Sequence, residues 1–377
     1  MRLLLRAGIL LGLAAAAAAA AACKESLTPV HFKDPVALSA NLASVDSAVN
    51  TQVARSFSTA TLNLSAAKAP AIGPVASLLA TVRPQLQLSG ARMFLPGLLQ
   101  ARSMQAQLPN LSVAAAQGRV IPDSLYGRVY EWDATLHQYR WLGTTVTGLT
   151  GVRFILYAVG LNDQVIEPVT QIGTLDILDQ STASKLQVQV LVKGPGGTPT
   201  YIDYTISLQP TGQMSATAAA SGSISNGLTG ADNKTLTFDQ TLTIDVNNAT
   251  AHAVFALNNP AITLIMNESV AVNNPNIVIN ADFRLIQNGL TIQAVGRITI
   301  NTSTGSALVD VTVNQDGHPV ASISGDPTNP ATQWKDAGGQ ALTAAELAAL
   351  GHLFDAFEAF QKAVEGLFLP VTTFAGL

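Results

Sequence analysis

The sequence predicts a mainly β fold with flanking helices: one large, strongly curved antiparallel meander sheet or barrel-like wrap, packed by an N-terminal and a C-terminal amphipathic helix. Period-2 alternation runs through 185–323 and is clearest at Thr235 to Val246. There Leu236, Phe238, Leu242, Ile244 and Val246 fall on one parity, and Thr235, Thr237, Asp239, Thr241, Thr243 and Asp245 on the other, as a strand with one dry and one wet face requires. Short turn signals separate the strands. Gly194-Pro195-Gly196-Gly197, Asn247-Asn248, Asn258-Asn259-Pro260, Asn288-Gly289, Thr304-Gly305 and Asp316-Gly317 all favour tight turns. With such links, strands adjacent in sequence are expected to pair side by side and antiparallel. Helical spacing stands out at the two ends of this region, over 35–58 and 344–369.

The β region starts at Leu125. Leu125 to Trp132 and Gln138 to Leu142 read as two strands that gather Tyr126, Tyr130, Trp132, Tyr139 and Trp141. Val152 to Val159 is apolar on both parities and predicts a strand covered on both sides. Further strands follow to Pro319–Ile323, roughly a dozen in all, too many for a flat sheet because twist accumulates. Residues 59–118 are cut by Pro70, Pro74, Pro84, Pro96 and Pro109, yet rich in apolar side chains, and predict irregular cover for the sheet.

Both helices have start signals. Asp34-Pro35 supplies an N-cap and first-turn proline ahead of Leu38, Leu42, Val45, Val49, Val53 and Phe57. Thr343 and Glu346 form a capping box ahead of Leu347, Leu350, Phe354, Phe357, Val364 and Phe368, a stripe expected to face the sheet.

Composition narrows the function. Only 12% of the 377 residues are charged, and removing Arg2 and Arg6 with a leader takes the formal charge from −4 to −6. No basic run suits nucleic acid. The five histidines, His31, His137, His252, His318 and His352, lack metal-ligand spacing, and neither HExxH nor GxSxG occurs. No cofactor fingerprint is present, and Asp203, Asp239, Asp245, Asp282 and Asp310 read as solvated carboxylates on wet parities.

Met1 to Ala22 has a basic start, an apolar stretch and a run of nine alanines from Ala14 to Ala22, the layout of a signal peptide, and leads into Cys23, the sole cysteine. With Ala20, Ala21 and Ala22 before Cys23, this stretch resembles bacterial lipoprotein precursors, although that family usually has Leu where Ala20 stands. The resemblance implies cleavage before Cys23, its lipidation and attachment to the cell envelope; plain secretion is the alternative. Lys24, where the family commonly uses Asp for inner-membrane retention, implies the outer membrane. The expected organisation is a signal peptide (1–22), lipidated cysteine and tether (23–33), helical and irregular cover (34–118), β meander (119–325) and C-terminal helix (326–377), with 34–377 one domain.

At the level of fold, the expected curled sheet also resembles the half-barrel lipoprotein carriers, which implies an apolar ligand on the concave face. Phe238, Phe255, Phe283, Leu285, Phe354 and Phe357 are its expected lining. A non-enzymatic, membrane-anchored binding or structural module is the leading reading. A hydrolase of envelope polymers and an outer-membrane β-barrel are the alternatives.

Overall fold

The computed structural model describes residues 31–33, 118–160, 164–212 and 214–355. They form one 14-stranded sheet: β1 (Arg128–Asp133), β2 (Gln138–Thr145), β3 (Gly151–Tyr157), β4 (Gln171–Asp179), β5 (Leu186–Lys193), β6 (Thr200–Gly212) and β7 (Ser215–Ser225), then β8 (Thr235–Ile244), β9 (Asn248–Leu257), β10 (Ile262–Asn273), β11 (Asn276–Gln287), β12 (Leu290–Asn301), β13 (Ala307–Gln315) and β14 (His318–Gly325). A helix, α1, begins at 344 and is described to 355. The expected helix over 35–58 and the cover over 59–117 lie outside the described residues.

From β3 to β14 each strand pairs with its sequence neighbours, as the short turns require. Asn288-Gly289 and Asp316-Gly317 have positive φ at both residues, the backbone that matches the twist of a hairpin. Two expectations need correction. The sheet is open, running β14 to β3 and then β1 and β2, and does not close into a barrel. Nor is it wholly antiparallel, because β1 inserts between β2 and β3 and pairs with β3 in parallel. The reason lies in two bonds between residues distant in sequence. Residue Gly127 donates its N–H to Gly151 O at 2.7 Å and accepts from Val146 N–H at 2.7 Å, holding the β2–β3 link against the start of β1. A Cβ on Gly127 would lie 2.7 Å from Val146 O, so a bare backbone is needed there.

This connectivity sorts the loops onto two rims. Links after odd-numbered strands lie on one rim, links after even-numbered strands on the other, and the parallel β1–β3 pairing puts the β1–β2 turn on the odd rim too. Residues 31–33 dock at the odd rim. There the Lys33 N–H donates to Gln315 Oε1 at 2.9 Å, and His31 Nδ1 lies 3.0 Å from Glu346 Oε1.

One face is dry along most of the sheet. On β5 the residues Leu186, Val188, Val190 and Val192 are buried while Gln187, Gln189, Leu191 and Lys193 face outward, and the same alternation runs through β8 to β13. Strand β3 departs from its expected two-sided cover. Its Val152, Phe154 and Leu156 are buried, but Arg153, Ile155 and Tyr157 are only half-buried, and Arg153 holds Asp176 of β4 through bonds of 2.6 and 2.7 Å. Val246 also departs. It lies past the end of β8, in the turn, and is exposed.

The sheet curls toward its dry face. Tyr204 and Phe238 stand two strands apart, which is roughly 9–10 Å in a flat sheet, yet their ring centroids are 5.9 Å apart. Between them in register is Gly222, where a Cβ would strike Asp203 O and the Cα and Cβ of Tyr204. The rings lean together over a residue without a side chain. Near the β14 side, the Thr343–Glu346 capping box forms as expected, with Glu346 Oε2 accepting from the Thr343 N–H and hydroxyl at 2.9 and 2.7 Å. Leu350, Leu353 and Phe354 of α1 are buried, whereas Leu347 is exposed; Phe357, Val364 and Phe368 lie outside the described residues.

Two stability predictions follow from this packing. Gly222→Val should lower the urea midpoint by the equivalent of roughly 1–3 kcal/mol, as overpacking does, with Gly222→Ala between it and wild type; an unchanged midpoint would remove Gly222 from the account of the curl. Thr343→Ala should cost about 1 kcal/mol of thermal stability through loss of the cap.

Candidate functional site

Register across β6 to β12 lays the dry face out in straight rows. In one row Tyr204, Gly222, Phe238, Phe255, Leu264, Leu285 and Ile292 are consecutive partners. Thus Phe238, Phe255 and Leu285, three of the residues expected to line an apolar site, share a row and are buried. Phe283 is in the next row, opposite Met266, and is fully buried. Phe354 is separate: it sits on α1 with its ring 5.8 Å from Trp334. Cys23 and Phe357 lie outside the described residues.

The next two rows contain the residues that the alternation alone did not single out. Gln240 stands between Ala220 and Ala253, and Glu268 between Ala251 and Ala281, with Gly296 beyond Ala281. Both are on dry parities and only 7% exposed, and both leave a side-chain oxygen, Oε1 in each case, without any hydrogen-bond partner. A buried polar oxygen without a partner costs on the order of 1–3 kcal/mol, so two on one apolar face are an arrangement that stability does not explain. Burial pushes the Glu268 carboxyl up to about 8. At neutral pH it is therefore mainly a neutral acid, able to donate one hydrogen bond and accept others. Small neighbours leave both side chains standing above a low strip of alanine and glycine.

These positions had a signal in the sequence. Gln240 interrupts the apolar parity of Leu236, Phe238, Leu242 and Ile244, and Glu268 does the same between Met266 and Val270. Strand β10 runs on past Met266 to Asn273 and carries Glu268 onto the dry face.

The wet face offers a different setting. A groove of about 520 Å³ crosses β10 to β13, lined by Asn267, Ser269, Asn280, Asp282, Arg297 and Asp310 and, between them along the strands, by Glu268, Ala281 and Gly296. Burial lifts the Asp282 carboxyl, but hydrogen bonds from Arg284 and Gln293 outweigh it and hold Asp282 below the ordinary carboxylate range. Such an acid stays ionised and is a poor proton donor for glycoside hydrolysis. Asp203, Asp239, Asp245 and Asp310 all face outward, as expected. Of the histidines, His252 bonds Asn267 at 2.7 Å, His137 lies 3.5 Å from Glu167, and His318 and His352 are exposed. Among the described residues no group of three His, Cys, Asp or Glu side chains could hold a metal ion. No described helix is long and apolar enough to cross a membrane.

No protein-family model matches the sequence, and no significant match was found among curated proteins or solved structures.

Glu268 generates a pH prediction with a definite sign. An unfolded Glu titrates near its ordinary value of about 4.3, so between there and about 8 the folded protein retains a proton that the unfolded chain has lost. Stability is greatest below that window and falls as pH rises through it. Glu268→Gln removes the titration. Against wild type it should flatten the pH dependence of the urea midpoint and gain roughly 3 kcal/mol at pH 7 relative to its value at pH 4; parallel profiles for the two proteins would show that Glu268 titrates normally.

Proposed function

We propose that the protein is a membrane-anchored extracytoplasmic lipoprotein of the cell envelope that binds an uncharged amphiphile on its dry face. The observation that carries this reading is the pair Gln240 and Glu268, buried on an apolar face with oxygens that no protein group satisfies. A ligand with an apolar body and a neutral polar group, such as a hydroxyl or ester carbonyl, answers both requirements. Its chain packs against Phe238, Phe255, Phe283 and Leu285, and its polar group pairs with the neutral carboxyl and the amide. A fixed charge on the ligand would be costly there. The signal-like segment ending in Cys23 supports the anchor and the compartment. The function is then capture or carriage of a lipid at the envelope rather than turnover, consistent with the acid that stays neutral and the groove acid, Asp282, that stays ionised.

Two measurements test the reading. The full-length precursor is expressed in a bacterial host beside Cys23→Ser, and both are weighed by mass spectrometry; acyl mass on the wild type alone is expected, and its absence would leave a secreted protein. Solvent extracts of purified wild type, Glu268→Gln and Ala253→Trp are then compared. Wild type should yield a lipid, and Ala253→Trp, which fills the alanine strip beside Gln240, should lose it while remaining folded. Equal lipid from wild type and Ala253→Trp, or none from wild type, would place the function elsewhere.

A further inference from the structure

We infer that the odd rim of the sheet is the surface that lies against the bilayer. The inference rests on the lipid anchor at Cys23 proposed above. Topology and chain length carry it. The segment 31–33 is fastened at the odd rim, through Lys33 to Gln315 at the end of β13 and through His31 to Glu346 in the first turn of α1. Seven residues separate Cys23 from His31, eight steps along the chain. Fully extended this stretch reaches roughly 26–29 Å, so an acyl chain on Cys23 keeps the β13 end of this rim within that distance of the membrane. The even rim stands further off by the length of a strand, roughly 33–40 Å for strands of this size.

The side chains on the near rim suit an interface. Leu136 in the β1–β2 turn is 51% exposed, Ile166 in the β3–β4 link 47%, Leu228 in the β7–β8 link 56% and Leu347 at the start of α1 46%. Trp132 reaches the same rim at the end of β1, where its indole N–H donates to Glu167 at 3.3 Å, an amphipathic ring of the kind favoured at membrane–water boundaries. Exposed apolar residues alone do not choose between the rims, since Met214, Val246 and Leu308 are exposed toward the even rim. The tether chooses. With the acyl chains inserted, the apolar side chains in the β1–β2, β3–β4 and β7–β8 links and at the start of α1 add interfacial contacts that set the orientation of the sheet.

The test uses acylated protein on vesicles of phosphatidylethanolamine and phosphatidylglycerol. Because Cys23 is blocked by its acyl chains, single cysteines at Leu136→Cys, Leu228→Cys and Leu308→Cys can each carry an environment-sensitive fluorophore. On vesicle binding, labels at 136 and 228 should shift to the blue and be quenched by brominated lipid, and the label at 308 should remain water-like. Water-like emission at 136 and 228 on protein that floats with the vesicles, or the same shift at all three sites, would overturn the orientation while leaving the anchor intact. Lack of acyl mass and of flotation would instead overturn the anchor, and the orientation with it.

Discussion

The constraint on which the structure depends is that one face stay dry while the chain adds strand after strand. Side chains alternate with period 2, so a slip of one residue in any ladder would exchange the faces of every strand beyond it. From β7 to β12 the ladders run without a bulge. Irregularities fall outside this stretch, at β1–β2, β3–β4, β5–β6, the far end of β6–β7 and β13–β14. Unbroken register is what makes rows: it places Phe238 beside Phe255, and it holds Gln240 and Glu268 on the same face as the phenylalanines. The positive-φ turn at Asn288-Gly289 holds the β11–β12 register from its rim.

Against this order, the two buried polar side chains are the conflict within the fold. Leu or Val at 240 and 268 would satisfy every local rule that their strands obey. Instead the strands bury an amide and a carboxyl among alanines, and burial itself keeps the carboxyl protonated near neutral pH. Departures from local consistency tend to mark function, and these two lie in the stretch where the rows are straightest. The wet-face groove is the converse case. Its polar residues match their exposure, and Asp282 is paired with Arg284 and Gln293.

An open sheet leaves two edges to manage. At β14 the chain returns, with Ser322 and Lys335 exchanging backbone hydrogen bonds across the edge. At β2 the edge is mostly exposed but carries Arg140, paired with Asp133, and Trp141 beneath the Arg128 guanidinium at 4.1 Å. Charge and bulky aromatic groups on an edge discourage pairing with another chain. Inward from that edge, Tyr130 and Tyr139 pack against Phe154 at 4.8 and 5.7 Å, so the aromatic residues of β1 and β2 join the edge to the dry core.

Much of this was legible in the residues alone. Alternation and turn chemistry are local, and they located the run of strands from Leu125 to Ile323, roughly a dozen expected against fourteen found, the antiparallel order from β3 onward, the capping box at Thr343 and Glu346, and the burial of Phe238, Phe255, Phe283 and Leu285. What the sequence by itself determined is a mainly β chain with one dry face and a signal-like start ending at Cys23. The tertiary structure decided the insertion of β1 beside β3, which hangs on non-local bonds at Gly127, and the openness of the sheet, which depends on how far curl accumulates over many strands. It also decided the meaning of Gln240 and Glu268. An alternating pattern tolerates a polar residue at any single position, and only the packed face shows whether that residue reaches a partner or remains buried without one.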